Sequence, residues 1–221
     1  MNEVMDIFSA NDPENVSTGV QLLLLLTVLS LAPGILVLMT SFTRIVIVLS
    51  FVRTSLATQQ MPPNQVLIGL ALFLTFFIMA PTFQEVNDQA LQPLFAEEIS
   101  LDEAYDRASL PIKDFMAGHT RQQDLQLFMD YAGSDQPGTI GDIPLTTLVP
   151  AFAISELKTA FQMGFMIFVP FLIIDMVVAS VLMSMGMMML PPVMISLPFK
   201  ILLFVLVDGW YLITQSLLQG F

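Results

Sequence analysis

Cysteine is absent from this 221-residue chain, and histidine occurs once, at His119. No disulfide framework, thiolate nucleophile or thiolate metal site is therefore available. Charge is also scarce. Only 12% of residues are charged, against about 25% in a typical soluble domain. Lysine and arginine together number 7, too few for a chain that neutralises phosphates. No HExxH, P-loop or GxGxxG pattern occurs. These shortages exclude a disordered chain, a nucleic-acid binder and an ordinary cytosolic enzyme, and they leave no catalytic constellation, metal site or cofactor site to assign.

What fills the chain instead is apolar: 55% hydrophobic residues and a mean hydropathy of +0.77. Such a composition belongs to an integral membrane protein or to a helical chain buried inside a larger assembly. The net charge of −12 is unevenly spread. Residues 1–20 hold Glu3, Asp6, Asp12 and Glu14 with no base, and residues 81–149 carry a net −9. The rest of the chain is nearly neutral.

Four apolar blocks stand out: Val20–Val52, which contains Pro33-Gly34; Gln65–Phe83, preceded by Pro62-Pro63; Leu148–Met185; and Val193–Leu218. Each is long enough to approach or exceed the ~20 residues of a bilayer crossing. Polar faces are missing over long runs, which argues against a large soluble core. The chain divides accordingly into an acidic leader (1–19), two hydrophobic helices (20–83), a polar acidic helical subdomain (84–147) and a C-terminal hydrophobic hairpin (148–221). The leader lacks the basic n-region of a secretory signal, so the first apolar run is expected to be retained; an already processed chain is the alternative. Asn15-Val16-Ser17 matches a glycosylation acceptor only as a common chance tripeptide.

The polar segment carries helix punctuation. Ser100-x-x-Glu103 reads as a capping box opening a short helix, Pro111 as a first-turn residue of a second, and Thr120-x-x-Gln123 as the start of a third that ends near Gly133. Ile112, Phe115 and Met116, then Leu125, Phe128, Met129 and Ala132, recur at three- and four-residue spacing. Phe115 and Phe128 are thus expected to pack or dock this subdomain, and residues 133–144 to link it to the third block. Basic residues mark cytoplasmic helix ends. Arg44 and Arg53 flank the first connection as cytoplasmic-side anchors, which places the amino terminus and the acidic segment outside the cytoplasm.

Charges within apolar blocks are costly, at least ~2.5–3.5 kcal/mol each at a bilayer centre. Glu156, Lys158, Asp175, Lys200 and Asp208 therefore need partners. Glu156 and Lys158 point to different sides of one helix and cannot pair with each other. They act either as polar locks between helices or subunits, which their dispersal favours, or as parts of an ion path. If the hairpin apex lies near Met187-Met188, residues at equal depth sum to about 375, and Asp175 and Lys200 can meet. The apex reads MSMGMMMLPPVM over residues 183–194 and holds six of the chain's 16 methionines. Met187, Met188 and Met189 are either adaptable filling or a soft ring lining a constriction, and Gly186 with Pro191-Pro192 breaks the helix there.

Six ordered blocks carry a resemblance. They are Met39–Val48 (MTSFTRIVIV), Pro62–Phe77 (PPNQVLIGLALFLTFF), Ser155–Gln162 (SELKTAFQ), Phe171–Asp175 (FLIID), Gly186–Met189 (GMMM) and Leu197–Lys200 (LPFK), the last followed by Phe204–Trp210 (FVLVDGW). Together they resemble the FliP family, the flagellar branch of the type III secretion export gate, from about residue 20 onwards and least in 85–145. The resemblance implies an all-α, membrane-associated, oligomeric pore subunit with no enzymatic activity. It implies about five copies assembled with FliR and FliQ at the flagellar basal body in the bacterial cell membrane. Other export-apparatus and basal-body proteins would surround them, and unfolded flagellar subunits would pass through. Met187, Met188 and Met189 would form the pore gasket, and the five charges above would serve assembly or gating. The resemblance also implies apolar helices buried against sister subunits, largely lifted out of the bilayer. Many members begin with a cleavable signal peptide, whereas this sequence begins with an acidic leader. An ion-coupled transporter built on Asp175, Lys200 and Asp208, or a purely structural basal-body component, are the competing readings.

Overall fold

A computed structural model describes residues 13–58, 60–133, 137–187 and 189–221. Every regular element among them is helical. The chain divides into two units, residues 1–37 and 38–221. In the first, helix α1 (Pro13–Met39) runs through Pro33 without a break. The second unit begins with the last residues of that helix, and the chain turns instead at Thr40 and Ser41. The acidic leader's first twelve residues and the linker positions 134–136 lie outside the described residues.

The second unit is a pack of long apolar helices. Helix α2 (Phe42–Ser55) buries Ile45, Val48, Leu49 and Val52. That i, i+3, i+4, i+7 spacing makes one continuous stripe. The stripe meets Leu67, Ala71 and Leu74 of α3 (Asn64–Val86) and Ala160 and Phe171 of α7 (Leu145–Ser184). Phe204 of α8 (Pro192–Leu206) and Ile213 and Leu217 of α9 (Gly209–Gln219) complete the same core. Helix α2 approaches α7 so closely that a Cβ on Gly164 would lie 2.5 Å from the Phe51 ring.

Helix α3 continues through a π turn, Asn87–Leu91, into α4 (Gln92–Phe95). Between residues 100 and 133 the polar segment then contains two helices rather than the three expected there. Ser100 caps α5 (Leu101–His119) by accepting from the Glu103 amide, but α5 passes straight through Pro111. The expected helix start at Pro111 is thereby overturned. Proline removes one intrahelical donor and crowds the carbonyl four residues back; here the ring is buried, and packing offsets that loss. Helix α6 (Gln122–Ala132) begins one residue later than Thr120-x-x-Gln123 indicates, and ends at Gly133, whose φ of 63° supplies the left-handed cap. Met116, Ile143, Leu148 and Phe152 form a second core between α5 and the start of α7.

Among the described residues, two helices are long and apolar enough to cross a membrane, Asn64–Phe95 and Leu145–Ser184. The number rises to four if Leu29–Met39 with Phe42–Ser55, and Pro192–Leu206 with Gly209–Gln219, each make one bent span. At 1.5 Å per residue, the 40 residues of α7 extend about 60 Å, twice the ~30 Å hydrocarbon thickness. Half of α7 must therefore lie against something other than lipid tails. The fourth apolar block is likewise not one helix. It bends by 61° between α8 and α9, at Asp208, which sits at φ 51°. Aspartate tolerates that left-handed conformation better than most residues. Gly209 follows because a Cβ there would lie 2.4 Å from the Phe204 ring.

Candidate functional site

The charges inside the apolar helices fall into three environments. The first is a closed ion pair. Arg44 of α2 is 3% exposed and Glu156 of α7 is fully buried. The Arg44 Nε donates to Glu156 Oε2 at 2.8 Å, and Nη2 donates to Oε1 in parallel. Nη1 donates to the Gly220 carbonyl at 2.6 Å, and the Phe221 ring covers the guanidinium face at 3.8 Å. The bidentate fork matches carboxylate geometry, and each of the three guanidinium nitrogens has an acceptor. Arg44 is therefore an interior contact between α2, α7 and the end of α9, not a solvated anchor at the helix end. Arg53, by contrast, donates to Asn64 Oδ1 and ties the end of α2 to the start of α3.

The second pair lies about five turns further along α7. Lys200 Nζ, 2% exposed as a side chain, reaches Asp175 Oδ2 at 2.6 Å. Ser196, one turn before Lys200 on α8, donates to the other carboxylate oxygen. The two residues that the 375 arithmetic sets level are thus in contact across the hairpin, and they fix its register. Lys158 and Asp208 make up the third environment. Lys158 is exposed on α7 and Asp208 at the bend between α8 and α9, and neither side chain has an ion pair or hydrogen bond among the described residues.

One residue before Glu156, Ser155 forms a further polar joint. Its Oγ donates to Asp124 Oδ2 at 2.6 Å and accepts from the Arg121 amide at 3.0 Å, while Arg121 pairs with the same aspartate at 2.6 Å. Successive residues of α7 thereby hold α6 on one side and α2 on the other. Phe115 is half-buried in the second core. It stands edge-on to Phe152, with ring centroids 6.0 Å apart, and stacks on Phe221 at 6.1 Å. Phe128 is half-buried on α6. His119 shares a hydrogen bond between Nδ1 and the Phe115 carbonyl at 2.7 Å.

At the apex, α7 ends at Ser184 and α8 starts at Pro192. Gly186 has φ 72°, a conformation that costs a side-chain-bearing residue dearly. Met187 is 42% exposed and Met189 is 98% exposed; Met188 lies outside the described residues. Among the described residues, Met189 therefore packs against almost nothing.

The Arg44–Glu156 pair and the Ser155 joint were missed by sequence reasoning. Their partners are 112 and 31 residues apart, and no periodicity links such distant positions. Ser196 had a usable signal, since it lies four residues before Lys200 on one helix face.

The chain matches the FliP family over residues 25–217. The flagellar biosynthetic protein FliP of Bacillus subtilis (strain 168) is 80% identical over 221 residues, covering 100% of both chains. That of Caulobacter vibrioides is 56% identical over 214 residues, 94% of this chain and 80% of the relative. The Aquifex aeolicus protein is 52% identical over 209 residues, 94% of this chain and 87% of the relative. FliP is not an enzyme family, and neither the paired charges nor the exposed methionines form a reactive centre. With apolar helices capable of crossing a membrane and a match spanning nearly its whole length, the chain belongs to the FliP family.

Proposed function

We propose that this chain is a subunit of the flagellar protein-export gate. Several copies, together with FliR and FliQ, surround a channel for unfolded flagellar subunits at the basal body in the bacterial cell membrane. Family membership supports the flagellar role, and the names of its relatives carry the same assignment. The single observation that carries the oligomeric reading is the exposed apolar length of α7. Phe161, Phe165, Met166, Ile173 and Met176 are each more than half exposed on a helix too long for the bilayer to cover. Sister helices supply the missing cover.

In this reading Met187, Met188 and Met189 form the gasket. Unbranched thioether side chains close against one another and yield to a passing polypeptide. The polar helices α5 and α6 form an extracytoplasmic subdomain. The Arg44–Glu156 and Asp175–Lys200 pairs stiffen each subunit while the gasket moves. Glu156 and Asp175 are both committed to cations and lie nineteen residues apart, about 28 Å along α7. A relay of acids for ion-coupled transport does not follow from that spacing.

Native mass spectrometry of the detergent-solubilised chain, alone and with FliR and FliQ, tests the reading. The expected result is a homo-oligomer that incorporates FliR and then FliQ. A stable monomer that binds neither would refute it.

A further inference from the structure

An apolar groove of about 620 Å³ runs along α7 from Gln162 to Phe171, walled on its other side by α8 and α9 from Leu203 to Ser216. Asp208 stands at the bend between two of its lining residues, Val207 and Gly209. Elsewhere on α7, Ile154, Leu157, Lys158 and Phe161 share one face by i, i+3, i+4, i+7 spacing. Their apolar members are 41%, 39% and 56% exposed. The face is therefore an apolar ridge with one unpaired cation in its middle, and the groove is an apolar trough with one unpaired anion at its bend.

We propose that the ridge of one copy of this chain enters the groove of the next, with Lys158 meeting Asp208. The register follows from the hairpin. Asp175 and Lys200 are in contact, so residues of α7 and α8 at one depth sum to about 375. Asp208 is then level with position 167 of its own α7. Pairing it with the neighbour's Lys158 requires parallel copies offset by nine residues, about 13 Å along the helix. At that offset the neighbour's Ile154, Leu157 and Phe161 fall level with positions 163, 166 and 170. The groove spans 162–171 on α7. Charge and length thus select the same register. Ridge and groove are different surfaces, so the contact is heterologous and propagates into a ring or a rising helix rather than closing as a dimer.

The inference rests on the proposed self-assembly of the chain, and its test separates the two. The sequence has no cysteine, so introduced thiols are the only ones. Lys158→Cys in one tagged full-length copy and Asp208→Cys in a second, differently tagged copy are produced together in membranes. A bismaleimide then bridges them, because a Lys–Asp pair holds its Cα atoms beyond the ~7 Å limit of a disulfide. The expected result is a doubly tagged dimer on a denaturing gel, absent when Met176→Cys replaces Asp208→Cys. Lys158→Glu should also reduce the oligomer far more than Lys158→Met, because it sets two carboxylates face to face. Parent copies that co-assemble without this cross-link would overturn the register while leaving self-assembly intact. Parent copies that do not co-assemble would overturn both. A phospholipid retained in the groove of an uncross-linked complex, or equal effects of Glu and Met at 158, would likewise overturn the inference.

Discussion

Replacing Glu156 with alanine isolates the interaction that anchors α2 to α7. In the parent chain the Arg44 guanidinium spends two of its bonds on Glu156, one on the Gly220 carbonyl and its face on Phe221. The substitution removes both carboxylate bonds and leaves a 3% exposed cation without a counter-ion. Breaking one side of a buried pair costs ~3–5 kcal/mol. At ~1.4 kcal/mol per factor of ten, that lowers the folded-to-unfolded ratio by roughly two to three and a half powers of ten. Arg44→Lys should lose much of the same stability, since an ammonium cannot reproduce the planar fork. The double variant Arg44→Met/Glu156→Leu should recover most of it, because an apolar pair of similar volume carries no desolvation cost. Trp210 is the sole tryptophan and stands edge-on to Phe204 at 5.4 Å, so its fluorescence reports unfolding of the helical pack in detergent. Glu156→Ala unfolding within about 1 kcal/mol of the parent would refute the lock, as would a double variant no better than either single one.

Asp175→Ala leaves Lys200 buried without its carboxylate, and the same ~3–5 kcal/mol applies; a charge-swapped pair at 175 and 200 should recover part of the loss, read as complex yield. Gly164→Ala drives a methyl group to 2.5 Å from Phe51, so α2 and α7 must separate, with an expected loss of ~1–3 kcal/mol in the same fluorescence measurement. Phe115→Asp should destabilise the isolated chain, since that ring packs against Phe152 and Phe221 within it. Phe128→Asp should lower oligomer yield more than monomer yield if α6 docks on a neighbour; equal losses of both would assign Phe128 to the chain's own core.

Sequence signals of short range translated well into structure. The Ser100 hydroxyl caps α5 through the Glu103 amide, while the Glu103 carboxylate pairs with Arg107 and leaves the capping box half formed; Gly133 ends α6, because capping is decided within one turn. Hydropathy separated the apolar helical blocks from the polar segment. It could not see that α5 continues through Pro111, since the compensation is burial of that ring in the folded chain. Nor could it see the bend at Asp208, which depends on a left-handed backbone and on Phe204 folding back over Gly209. Arg44 shows a related limit. A basic residue near the end of an apolar block reads as an interfacial anchor until a carboxylate 112 residues away turns it into an interior contact.

The central claim concerns a pore closed by methionines, and conductance tests it most directly. Alanine at Met187, Met188 and Met189 together removes three flexible side-chain tips per copy. Met189 is 98% exposed, so its truncation carries little of the ~2–5 kcal/mol cost of a buried Met→Ala change. In cells producing the full complex, the triple variant should assemble at parental yield, pass small ions or solutes across the membrane, and still export some flagellar subunits. Parental yield with no rise in conductance would contradict the gasket, and collapse of the complex would assign these methionines to a packed core instead.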